Sequence, residues 1–333
     1  MYFISTVTLV LFLAVVRWAR KDAVAADFNK SDTLSVRGVL IFFVVIAHLP
    51  ISFLRAGGLG SQAVAVFLFF SGYGCMKSFK RKGSLYQDAF FKKHLLKLLA
   101  PYFVCVSLWQ AFNFLTHKID MANLWVCLQK GNLYPILPHS WFPLALVILY
   151  FSFGIAIQKG GRIWKKVFCA TSLYYIVVRY WLCFPNFWWV PIWSFPIGIC
   201  YAENEDFIIK FANHVRWCCP IICWVLFILA FSCLCSFSPF KNLPFLSELS
   251  YTMTGVCVAA YLSCGKAGNG LPVLRWLGGL TYEIYLLHGI IFGVICYCFA
   301  IDREVAAFLT IASVIPSAWC FKQISNIISA RWQ

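Results

Sequence analysis

Apolar runs of about 17 to 25 residues recur along this chain from one end to the other, and each is long enough to cross a hydrocarbon core of about 30 Å as a helix. Inside a bilayer every backbone N–H and C=O must find its partner within the protein, so a chain built this way folds as helices rather than as open sheet. The runs fall at roughly 2–16, 37–54, 59–79, 98–116, 141–158, 164–183, 187–202, 217–237, 246–264, 277–300 and 305–322. The expected fold is therefore all-α, a polytopic transmembrane helix bundle of about 10 to 11 spans. Composition agrees: 62% of the 333 residues are hydrophobic and only 12% are charged, a balance foreign to soluble domains.

The charges orient the bundle. With the N-terminus outside, the cytoplasmic segments hold 22 of the 28 lysines and arginines, and the outer segments keep Arg55, Lys118, Lys130, Arg179, Lys241 and Arg303. The positive-inside rule then places the C-terminus in the cytoplasm. The formal net charge of +16 has a membrane explanation, since cytoplasmic cations both set orientation and attract anionic lipid; it is no sign of a nucleic-acid partner. The densest cluster, KSFKRKGSLYQDAFFKKHLLK from Lys77 to Lys97, is more basic than orientation requires, which leaves room for a polyanionic ligand. Residues 2–16 have their positive charges, Arg17, Arg20 and Lys21, after the apolar run instead of before it, the order of an uncleaved first helix rather than a signal peptide. Most of the sixteen cysteines lie inside apolar runs and show no zinc spacing. They read as small packing residues, and no metal is expected.

Ionisable residues inside hydrocarbon are costly and mark function by default. In VRGVLIFFVVIAHLP, residues 36–50, Arg37 and His48 are eleven positions apart; at about 100° per residue they share a helix face, and at about 1.5 Å per residue they are separated by roughly 16 Å. Arg37 would lie at the cytoplasmic surface and His48 near mid-membrane. His288 reaches a similar depth from the other side of the sequence, with Thr281 and Tyr285 on its helical face. Glu283 points elsewhere and is expected to pair with a cation near the cytoplasmic side, Arg37 being one candidate. Ser71, Gly72 and Gly74 fall near the middle of the third span, where small residues allow close helix packing or leave room for a ligand.

Four segments then converge. The Arg37 and His48 pair, FLFFSGYG at 67–74, HSWFPLALVILYF at 139–151 and TYEIYLLHG at 281–289 together resemble the acyltransferase-3 family of integral membrane acyltransferases, in matching order from about residue 31 to 322. The resemblance implies a membrane acyltransferase domain over 31–333, with residues 1–30 as an extra N-terminal transmembrane helix and linker. It implies an activity as well: transfer of an acyl group, most often acetyl, from cytoplasmic acyl-CoA to a hydroxyl of a cell-surface or lipid-linked carbohydrate, in the inner or plasma membrane of a bacterium.

Carried onto this chain, the resemblance makes His48 and Arg37 the core of the reaction site, with His288 a further catalytic candidate. Arg37, Lys93, His94 and Lys97 become the coenzyme-binding candidates. His94 and Lys97 stand where family members often carry two arginines, and neither has the bidentate fork of a guanidinium. His139, Trp141, Tyr285, Glu283 and Ser71 are the substrate-side candidates, with His139, Trp141 and the aromatic run Phe187 to Trp189 assigned to the outer rim. A transporter or exporter of polysaccharide is the alternative, because polar groups buried in a helical bundle also mark a substrate path.

Overall fold

A computed structural model describes residues 30–51, 59–116, 121–214, 248–249, 251–256, 258, 272–299 and 301–331. The protein is all-α, 87% helical, with no strand among the described residues. Among the described residues four helices are long and apolar enough to cross a membrane: Ser84–Leu115, Trp141–Gln158, Thr281–Phe299 and the Arg303–Ser325 stretch of a longer helix. The spans expected over 2–16 and 217–237, and most of that over 246–264, lie outside the described residues. The chain divides into two compact units.

The first unit contains α1 (Lys30–His48) up to Ala47, most of α2 (Leu59–Lys82), α7 (Ser194–Glu203), α8 (Glu205–His214) and α9 (Pro272–Gly279) up to Gly278. The helices α2 and α7 cross backbone to backbone. A Cβ on Gly72 would run into the carbonyl oxygen of Phe195, and one on Gly198 into that of Phe69. Of the small residues foreseen on the third span, Gly72 serves close approach, whereas a Cβ on Gly74 would meet nothing within 4 Å. Gly72→Leu is expected to destabilise the protein by roughly 1–3 kcal/mol through overpacking, read as an earlier thermal unfolding transition in detergent; an unchanged transition would show that the crossing tolerates bulk.

Beside this crossing the carboxylate of Glu205, at the positive end of α8, accepts from the Tyr73 hydroxyl and pairs with Lys77. Lys80 donates to the carbonyls of Ala202 (2.8 Å) and Glu203 (3.0 Å), which end α7. Two cations of the Lys77–Lys97 stretch are therefore engaged by the protein's own acceptors.

The second unit contains α3 (Ser84–Leu115), α4 (Met121–Gln129), α5 (Trp141–Gln158), α6 (Ile163–Ile176), α10 (Thr281–Phe299) and α11 (Arg303–Arg331), together with residues 48–51. Here α10 packs along α11, both touch α3, and α5 is held between α3 and α6. Phe103, Leu108, Phe114, Ile148, Phe151 and Leu173 on α3, α5 and α6 are exposed, as rings and branched chains facing lipid would be.

Three expected spans are cut differently. The run over 37–54 is a helix that starts at Lys30 and stops at His48, because Pro50 has no N–H to donate and drives Leu49 out of the helical region. His48 is thus the last residue of its helix and not a mid-helix residue. The run over 187–202 is two short 3₁₀ turns followed by α7, since Pro191 interrupts it. The run over 277–300 breaks at Leu280 between α9 and α10. Conversely the basic residues Lys92 to Lys97 belong to the same continuous helix, α3, as the apolar run over 98–116.

Candidate active site

The second unit gathers three histidines from three separate parts of the chain. His288 comes from α10, on the same helical face as Thr281 and Tyr285, and is fully buried. His48 ends α1, and His139 stands in the loop just before α5. Their ring centroids are 3.9 Å apart for His48 and His139, 5.1 Å for His48 and His288, and 5.2 Å for His139 and His288. One ring nitrogen from each lies within 4.8 Å of the others.

Local structure holds each ring. Nδ1 of His288 lies 2.6 Å from the carbonyl oxygen of Tyr285. A carbonyl only accepts, so the proton is on Nδ1 and Nε2 carries the lone pair. That Nε2 is buried and makes no hydrogen bond to the described residues. The hydroxyl of Tyr285 donates to the carbonyl of His139, so one tyrosine fixes two histidines, one by each end of its residue. His139 has a φ of 59°, a left-handed conformation that a residue with a Cβ adopts only when its surroundings impose it. The loop around it is tied by Gln110, whose Nε2 donates to the carbonyls of Pro135 (2.8 Å) and Ile136 (2.9 Å). Gly289 lies directly under it, where a Cβ would come within 2.6 Å of the Pro138 Cβ and 3.1 Å of the His139 Cδ2.

Burial holds the imidazole of His139 well below the usual histidine range, and the nearness of His48 and His288 lowers it further. A positive charge on any one ring disfavours a second on its neighbours. A neutral imidazole nitrogen with its lone pair available is the form that can act as a base.

The remaining sequence candidates take other positions. Glu283 is buried beside Lys322 of α11 at 4.0 Å, and the same ammonium donates to the Gly279 carbonyl that ends α9. Lysine 322 is thus a cation partner of this carboxylate. Trp141 is only 7% exposed; its ring meets Phe142, Phe187 and Trp188, and Trp188 is itself buried with its Nε1 donating to the Gly131 carbonyl at 2.8 Å. Trp141 and Trp188 are thus packed inside the protein, while Phe187 and Trp189 are half-buried. His94 stacks on Phe90 with centroids 4.6 Å apart, and its Nε2 lies 2.9 Å from the Tyr86 hydroxyl, while Lys93 and Lys97 are exposed on α3. Arg37 and Ser71 are half-buried on α1 and α2 of the first unit.

The residue the sequence misplaces is His139. It belongs with His48 and His288, and no helical periodicity can place a loop residue; the Pro138 before it and the buried Trp141 after it are the local signs of a loop turned inward.

The fold and this cluster define an all-α membrane protein with a candidate catalytic centre of three histidines. The family model for an acyltransferase domain of the acyltransferase-3 type matches residues 35–322, a stretch that includes all three histidines. The chain belongs to the acyltransferase-3 family and is a membrane acyltransferase. No curated protein and no solved structure matches it.

Proposed function

We propose that the protein is an O-acyltransferase that moves an acyl group, acetyl in the simplest case, from cytoplasmic acyl-CoA to a hydroxyl of a cell-surface or lipid-linked carbohydrate. The observation that carries this reading is the meeting of three imidazoles, one of them fully buried, in a membrane acyltransferase. Acyl transfer to an alcohol needs a base for the hydroxyl proton and exclusion of the water that would hydrolyse the thioester. His48, half-buried beside the fully buried His288, is the base. It takes the acceptor proton as the alcohol oxygen attacks the thioester carbonyl; the C–O bond forms, the C–S bond breaks, and the imidazolium returns the proton to the coenzyme thiolate. His288 and His139 hold His48 in place and keep the site short of further charge.

Arg37, earlier on the same helix as His48, holds a phosphate of the coenzyme, with Lys93 and Lys97 drawing the anionic donor from the cytoplasm. The orientation that suits this arrangement has the N-terminus outside and the C-terminus in the cytoplasm, in the inner or plasma membrane of a bacterium. Mass spectrometry of surface and lipid-linked glycans from cells with and without the protein tests the proposal. One added acyl group that depends on the protein is expected; identical glycans from both cells would count against a carbohydrate acceptor.

A further inference from the structure

The acyl-transfer reading uses the histidine cluster as a base, but the geometry carries more than a base needs. We propose that His48, His139 and His288 form a binding site for a divalent transition-metal ion of the zinc class, and that the bound ion, by occupying the imidazole lone pairs, holds acyl transfer off. The second half rests on the proposed acyl transfer; the first half does not.

Three observations support the site. One nitrogen from each histidine lies within 4.8 Å of the others. In a tetrahedral site with Zn–N bonds of about 2.0–2.1 Å the nitrogens are about 3.4 Å apart, so the nitrogens must close by on the order of 1 Å and the His48 and His139 rings, 3.9 Å apart and tilted by 35°, must turn until their lone pairs converge. The donor orientation is that of a ligand: metal-binding histidines typically give their second ring N–H to a carbonyl, which fixes the tautomer, and His288 gives Nδ1–H to the Tyr285 carbonyl while its buried Nε2 has no hydrogen-bond partner among the described residues. The backbone of His139 is held in the left-handed region with its carbonyl anchored by the Tyr285 hydroxyl, so its ring is placed before any ligand arrives.

The chemistry of the donors selects the ion. Three imidazoles suit zinc, cobalt, nickel or copper, whereas magnesium and calcium require oxygen. Three protein ligands leave a fourth position open. An imidazole nitrogen bound to a metal has no lone pair left for a hydroxyl proton, so occupation and base catalysis by the same nitrogen exclude each other.

The test uses the full chain in detergent, with the exposed thiols of Cys169, Cys183, Cys298 and Cys320 alkylated beforehand so that they cannot bind metal. Titration with Co2+, followed by its visible d–d absorption, is expected to saturate at one ion per chain. His288→Asn is expected to reduce that absorption to background. Tyr285→Phe preserves the ring and removes only the anchor of His139, and is expected to weaken Co2+ binding by about 10–100-fold, as loss of an outer-shell partner does. Absence of saturable absorption in the alkylated wild-type protein overturns the site without reference to any variant, and so does unchanged absorption in a folded His288→Asn protein. Acyl transfer that continues at full rate with one Co2+ bound overturns the inhibitory role. Metal binding is read without an acyl donor, so its failure leaves the acyl-transfer reading standing. Absence of transfer by metal-stripped protein that retains the Co2+ site counts against that reading alone.

Discussion

His48→Ala is expected to lower acyl transfer by about 10²–10⁴-fold, the contribution usual for a positioned general base, while the protein still inserts and accumulates. His48 is the last residue of α1 and is half-buried, so truncating it removes no helix-interior packing and leaves the termination by Leu49 and Pro50 intact. Its ring, however, lies 3.9 Å from that of His139 and 5.1 Å from that of His288, and alanine leaves a gap between them where the base stood. Free imidazole added to the variant should restore part of the rate, because a ring of the right size can enter the space; a residue that only supported packing would not be rescued this way. Wild-type rates in His48→Ala would remove the proposed base, and the mechanism with it.

The fold class was legible in the sequence because a bilayer leaves a chain little choice. The run over 141–158 agrees to the residue with α5, whose ends are marked by Ser140 and Lys159. Where spans were cut differently the cause was a residue that hydropathy averages away: Pro50 after His48, Pro191 in the tryptophan-rich stretch, and the Gly278–Gly279 pair before Leu280. A window of about 19 residues measures transfer cost and is blind to one missing N–H. The site was legible where it lies on helices. Periodicity put Thr281, Tyr285 and His288 on one face and turned Glu283 away from it, and the structure has Glu283 beside Lys322. His139 was out of reach for the same reason that it matters. Its position comes from a left-handed φ, from its contacts with Tyr285 and Gly289, and from the hold of Gln110 on Pro135 and Ile136 of the same loop, which join residues far apart in sequence.

That dependence on distant contacts leads to the second large effect, at a residue with no chemistry of its own. Gly289→Val is expected to lower acyl transfer by about 10²-fold, the cost of misplacing a reacting group by roughly 1 Å. A Cβ at Gly289 would lie 2.6 Å from the Pro138 Cβ and 3.1 Å from the His139 Cδ2, so the loop must lift. Its escape is limited by the Gln110 bonds to Pro135 and Ile136 and by the Tyr285 bond to the His139 carbonyl. The strain falls on the link between the loop and α10, and the two rings it carries, His139 and His288, are pushed apart from a centroid separation of 5.2 Å. Two variants separate displacement from general instability. Gly289→Ala adds one methyl group and should give an intermediate loss, with Gly289→Val more severe. Gly293→Ala, one turn further along α10, places its Cβ 2.8 Å from the Trp109 ring; it should disturb packing to a similar degree and leave the histidines where they are. If the Gly289 and Gly293 variants lost activity only in proportion to their lowered unfolding temperatures, the loop would be supporting the bundle rather than positioning His139, and the three-histidine centre would reduce to His48 and His288.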